Sequence, residues 1–116
     1  ENILFRWKDD LAELASCPNV YTKMSGLFMP VLGHRFHKEG RLASKQEVFD
    51  LAHPMITHAL ACFGTYRVMF ASNFPMDSVS TSLINIIDAF SDVVAAYDPD
   101  ALKRVFHHNA KQFYRL

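Results

Sequence analysis

Asn73 and Asp77, four residues apart, offer the clearest chemistry in this sequence. They follow a nearly continuous apolar run, Arg67-Val68-Met69-Phe70-Ala71-Ser72, with the length and character of a parallel strand buried on both faces. A polar Asn directly after such a strand, held by Phe74-Pro75, projects from its carboxyl end, and Asp77 lies in the same connection to the next helix. With Ser78 and Ser80 beside it, Asp77 can equally serve to cap that helix, and catalysis and capping stand as rival readings. A second place for chemistry is Lys23-Met24-Ser25-Gly26 and the loop behind it. Lys23 and Ser25 share one strand face; in a closed barrel both would point inward, where an ammonium steadies a carboxylate or a developing oxyanion. The plainer alternative is a solvated edge-strand lysine. His34 and His37 are three apart and on a helix could share a metal, but no third ligand is near, and ordinary loop histidines are the simpler reading. Arg35, Lys38, Arg41 and Lys45 against the single Glu39 make this region locally positive, suited to an anionic substrate or simply to solvent.

These residues need elements to position them. Trp7, Leu11 and Leu14 fall at helical spacing, with Asp9 and Asp10 expected near the helix N-terminus and Pro18 ending it. Residues 20–25 alternate Val20, Thr22, Met24 with Tyr21, Lys23, Ser25, the pattern of a short strand. Leu27 to Ala43 hold Pro30, Gly33 and Gly40 without a period and read as a long, function-bearing loop. Ser44 and Glu47 make a capping box opening a helix that runs to Gly64, which Pro54 is expected to kink or split. After the Arg67–Ser72 strand, Leu83, Ile86, Ile87, Phe90, Val93, Val94 and Tyr97 define an amphipathic helix. Asp98 caps and Pro99 begins a last helix carrying Leu102, Val105 and Phe106, and Asn109 to Leu116 add a final turn or two. His53, His58, His107 and His108 lie on helical stretches away from strand ends and read as structural or surface residues.

Two strands separated by a helix make one parallel βαβ unit, and one such unit does not close a fold. The chain also opens at Glu1 without Met, already in helix-like sequence, so the expectation is part of a larger α/β protein. Its 116 residues are half hydrophobic, which excludes a disordered tail, and 12 Lys+Arg balance 12 Asp+Glu, which removes the positive field that nucleic-acid or anionic-membrane binding needs. No apolar run approaches the roughly 18 to 20 residues of a membrane span, and no signal peptide is evident. Cys17 and Cys62 stand far apart, supporting neither a disulfide scaffold nor a zinc ribbon, so a cytoplasmic compartment is expected. No Gly-x-Ser-x-Gly elbow and no glycine-rich phosphate loop occurs.

The ordered combination of Asn19-Val20-Tyr21-Thr22-Lys23-Met24-Ser25-Gly26, Phe63-Gly64, Arg67 through Asp77, Asn109-Ala110 and Phe113-Tyr114-Arg115-Leu116 resembles the C-terminal end of the amidohydrolase-related TIM-barrel hydrolases. More narrowly it is similar to the branch holding sugar-lactone and pyrone-dicarboxylate lactonases. The resemblance implies that residues 1–116 are the C-terminal part, about strands seven and eight with their helices, of a single (β/α)8 barrel domain. It further implies hydrolysis of a small lactone, ester or amide by an activated water, with decarboxylation as the sibling chemistry. A divalent metal, zinc or manganese, with ligands mostly outside this chain, or no metal at all, is compatible with the family. The family's H-x-H motif is absent from these residues. Family lactonases carry Ser-Asp-Trp-Pro where this sequence has Ser72-Asn73-Phe74-Pro75, and an amide is no general base. A sub-branch with Ser-Asn-Phe-Pro followed by Asp points to Asp77 as the base or a metal ligand, and the stretches Met29-Pro30-Val31 and Phe36-His37 fit the same sub-branch.

The residues expected to act are therefore Asn73, Asp77, Lys23 and His37 in catalysis and Ser25, His34 and Arg35 toward the substrate. The expected partner is a small, anionic molecule, with neither nucleic acid nor membrane, and an oligomer is compatible. The rival expectation, prompted by Asn73 and by the missing strands, is a non-catalytic or truncated barrel serving as an interaction module.

Overall fold

The computed structural model describes residues 2–116. Helix α1 spans Asn2–Ala15 and is followed by β1, Thr22–Met24. Helix α1 already runs from Asn2, so Asp9 and Asp10 sit exposed in mid-helix and not, as expected, beside its positive end. After the long loop, in which Pro30–Leu32 form a single 3-10 turn, α2 runs over Lys45–Phe63. The capping box is complete: Glu47 N donates to Ser44 Oγ at 3.2 Å, and Ser44 N donates to Glu47 Oε1 at 3.2 Å. Of the kink or split expected at Pro54, the split does not occur: α2 runs on through it as one helix. It lies on the exposed side, where the carbonyl it deprives of a partner, that of exposed Asp50, can turn to water. Gly64, at φ 74°, closes the helix by donating its N–H to Leu60 O at 2.8 Å.

Strand β2 is Val68–Phe70, and it pairs with β1 in parallel, in the register Thr22 with Val68, Lys23 with Met69 and Met24 with Phe70. Period-two alternation therefore puts Met24, Val68 and Phe70 on one face and Lys23 with Met69 on the other. Helix α3, Leu83–Tyr97, starts at Ser82, whose side chain accepts from Asn85 N, and packs along α2. The core fills the space between these helices and the first sheet face: Val48, Ala52, Ile56 and Leu60 from α2, Ile86, Phe90, Val93 and Val94 from α3, and Met24 and Val68 from the strands. Phe70 is flanked by Phe90, edge-on at 5.0 Å, and by Phe106, stacked at 4.6 Å.

The last helical run begins as expected, with Asp98 accepting from Asp100 N at 3.0 Å and Pro99 in the first turn. It then passes through a π-helical turn, Arg104–His108, into α4, Asn109–Phe113. The extra residue of a π turn shifts the helix face. Here it is followed by Asn109, which is buried, with Nδ2 donating to Thr65 O and Val68 O, both at 2.8 Å, so α4 is fastened to the start of β2. Among the described residues no helix is long and apolar enough to cross a membrane.

Candidate functional site

The carboxyl ends of both strands meet at one place, and the chain has to turn sharply at each. Gly26, just beyond β1, has φ 70°, and Asn73, just beyond β2, has φ 54°. Only Gly enters this region freely, and Asn is among the few side chains that tolerate it. The turn after β2 is set by Ser72 Oγ, which accepts from Phe74 N at 3.1 Å, and by Asp77 N, which donates to Asn73 O at 3.2 Å. It continues into a 3-10 turn, Met76–Val79.

Asp77 is fully buried in that turn. Its Oδ1 accepts from Asn73 Nδ2 at 3.0 Å, while its Oδ2, equally buried, has no hydrogen-bond partner among the described residues. A bare buried polar atom of this kind costs on the order of 1–3 kcal/mol, and more when charged, so its presence calls for a physical reason. Capping is not that reason. The cap of α3 is Ser82, and the backbone of Asp77, not its side chain, receives Ser80 N and Thr81 N at 3.0 and 3.2 Å. Oδ2 is shut off from solvent within these residues, and a carboxylate oxygen without a partner has the capacity to take a proton, bind a cation or accept from a ligand that is brought to it.

The long loop after β1 is fastened beside this turn by buried polar groups that the local sequence pattern does not reveal. Ser80 Oγ donates to Phe28 O, Ala43 N donates to Ser80 O at 2.7 Å, and Thr81 Oγ1 donates to Ala43 O at 3.0 Å. Ser80 and Thr81 are each 1% exposed. Both ends of the loop, Phe28 and Ala43, are thus tied to the connection that carries Asp77. The residues between them reach solvent, and there the expected site residues separate. His34 is half-buried, with Nε2 2.8 Å from Leu27 O and its ring stacked on Phe36 at 6.1 Å. His37 and Arg35 are exposed. Of the basic residues that made this region positive, Arg41 is engaged by Glu39 at 3.0 Å and, through both terminal nitrogens, by Glu47 at 2.8 and 3.0 Å. That pairing and the Ser44 backbone N–H hold the Glu47 carboxyl down at about 2. Lys45 lies 3.5 Å from Asp92. Much of the local positive charge is therefore matched within the fold.

Lys23 is exposed, with Nζ 5.7 Å from the centre of the Tyr114 ring, and Ser25 is half-buried. Among the described residues no hydrogen bond or ion pair links Lys23, Ser25, His34, Arg35 or His37 to Asp77; Asn73 alone of the expected set touches it. No three His, Cys, Asp or Glu among the described residues gather as a metal site. The feature that sequence reasoning missed is Gly26. A Cβ there would lie a tight 3.3 Å from Met29 Sδ and at an ordinary contact distance of 3.5 Å from Asn73 Nδ2, so the left-handed turn at Gly26 brings the end of β1 alongside the Asn73 amide. The only signal was a Gly placed directly after a strand.

Two neighbouring parallel strands, a helix between them, helices over one sheet face and polar groups collected at the carboxyl ends form one βαβ unit, which the likeness to solved amidohydrolase structures identifies as part of a (β/α)8 barrel. The amidohydrolase family profile matches residues 4–116, and the chain belongs to that family. It is 33% identical over 110 residues to the uncharacterized protein y4mH of Sinorhizobium fredii (strain NBRC 101917 / NGR234), covering 95% of this chain and 33% of that one. In fold it is similar to an amidohydrolase from Burkholderia multivorans, solved with bound HEPES (TM-score 0.81) and with bound zinc (TM-score 0.80). Identity to both is 23%, and the match covers 97% of this chain and 37% and 38% of those chains. The chain spans about a third of the length of the relatives it matches.

Proposed function

We propose that this chain is the C-terminal part of a single barrel enzyme that uses an activated water to hydrolyse a small lactone, ester or amide. The observation that carries this reading is the Asp77 carboxylate: buried, at the carboxyl end of a barrel strand, held through one oxygen and unsatisfied at the other. Oδ2 accepts the proton of the attacking water, the step in which a positioned base contributes about 10² to 10⁴ in rate. Lys23, on the sheet face away from the helices, supplies positive charge to a substrate carbonyl or carboxylate. His37 and Arg35, on the exposed part of the long loop, meet an anionic substrate as it enters, with Ser25 and His34 at the loop's root.

The donor set here fits a divalent metal only in part. Asp77 Oδ2 is a suitable hard oxygen ligand, and the remaining ligands would come from outside this chain. When bound, zinc or manganese would polarise the scissile carbonyl and acidify water. The zinc seen in the Burkholderia multivorans amidohydrolase makes this a reasonable partner to test.

The test is to incubate the complete protein with small lactones, esters and amides, with and without added zinc or manganese, while following acid release and CO2 separately. Acid release without CO2 is expected. CO2 from a carboxylated substrate would replace hydrolysis by decarboxylation, and no turnover of any class would remove the enzymatic reading.

A further inference from the structure

We propose that Asn73 is a positioning residue and not a substrate contact: its carboxamide, seated against Gly26, holds Oδ1 of Asp77 and thereby leaves Oδ2 as the one oxygen free to act. The inference rests on Asp77 being the proton acceptor proposed above, and it goes further by assigning the amide beside it.

Three observations carry it. First, the carboxamide is already committed. One of its N–H groups donates to Asp77 Oδ1 at 3.0 Å, and the carboxylate has no other donor among the described residues. Second, Asn73 grips Asp77 twice, since its carbonyl also accepts the Asp77 N–H at 3.2 Å. Asn73 makes both contacts from a left-handed backbone at φ 54°, which asparagine tolerates and most side chains resist. Third, the amide lies against the end of the neighbouring strand: a Cβ on Gly26 would stand 3.5 Å from Asn73 Nδ2 and 3.8 Å from Cγ, ordinary contact distances, so the carboxamide is bordered on that side by the β1 turn. Charge decides which residue suits this position. A neutral donor steadies the buried carboxylate, whereas a carboxylate at residue 73 would set two negative groups against each other in a site with little water.

The experiment uses the complete protein, dihydrocoumarin as a small lactone probe, and the variants Asn73→Gly, Asp77→Asn and the double variant. Asn73→Gly keeps the left-handed backbone accessible and deletes the amide. Its kcat should fall at least about tenfold with KM unchanged within about twofold, the mark of a group that matters in the transition state and not in binding. In the Asp77→Asn background the same substitution should change nothing further, because it acts through Asp77. Asn73→Asp, which keeps the shape of the side chain, should do no better than Asn73→Gly; full activity of that variant would overturn the proposal. So would a rise in KM that persists after Asp77 is gone, since Asn73 would then be touching substrate. Should the lactone not turn over, or Asp77→Asn keep the full rate, the base reading fails by itself. Crystal structures of the wild type and Asn73→Gly then decide the positioning: a rotated Asp77 carboxylate in the variant supports it, and an unmoved one overturns it.

Discussion

Asp77 and Asn109 are both buried polar side chains, yet only one of them is satisfied. Asn109 spends its amide on Thr65 O and Val68 O, so its role is to hold α4 against the start of β2. Asn109→Leu should therefore destabilise the fold by about 1–3 kcal/mol, the cost of leaving buried carbonyls bare, with kcat little changed; chemical denaturation checks this. Asp77 has the opposite profile, one oxygen held and one free, which is poor for stability and useful for chemistry. At Gly26 the φ of 70° and the 3.3 Å approach of a would-be Cβ to Met29 Sδ predict that Gly26→Ala costs about 1–2 kcal/mol through left-handed strain. A thermal unfolding midpoint equal to that of the wild type would contradict this. The residue types at the strand ends were legible in the sequence, but the choice between capping and chemistry for Asp77 was not. Asp77, Ser78, Ser80 and Ser82 are all competent caps, and only the fold selects Ser82.

Among the elements, the start of α2 and the end of α1 carry the most specific polar contacts. The Arg41–Glu47 pair and the capping box hold the Glu47 carboxyl at about 2, below its ordinary value of 4.5. A carboxyl with a depressed folded-state value contributes stability that is present above the unfolded value and lost as pH falls toward the folded one. Unfolding midpoints measured from pH 5 down to pH 2 should thus fall less in Glu47→Gln than in the wild type, and added salt should narrow the difference because the pair is exposed. Arg67 closes α1 from a distance: its guanidinium donates to Ala15 O, Cys17 O and Val20 O at 2.9, 2.8 and 3.0 Å, and to Phe63 O at 3.2 Å. Arg67→Met should cost about 2–4 kcal/mol, read by denaturant unfolding, since it orphans several carbonyls at once. Helices α2 and α3 were readable because a 3.6-residue apolar period and a capping box are local signals. The clamps made by Arg67, Ser80 and Thr81 were not, because their partners, Phe63 O apart, lie 38 to 52 residues away. The π turn also escaped detection, since its residues are ordinary helix formers.

At the scale of the molecule, the two-stranded sheet has an unpaired edge on each strand among the described residues, and α1 leaves Ile3, Phe5 and Leu14 at 85, 71 and 52% exposure. Parallel sheets are stable when both faces and both edges are covered, so residues 1–116 expressed alone should bind a hydrophobic dye and self-associate. A monodisperse chain that unfolds in one cooperative step would count against its being part of one larger barrel domain. The parallel pairing of β1 with β2 followed from strand, helix, strand order, but the closure of the barrel is a property of more chain than this sequence contains. The most direct test of the catalytic account is the rate of Asp77→Asn in the complete protein on a lactone the wild type hydrolyses. The account predicts a fall in kcat of about 10² or more, with the variant folded as the wild type is; an unchanged rate would contradict it.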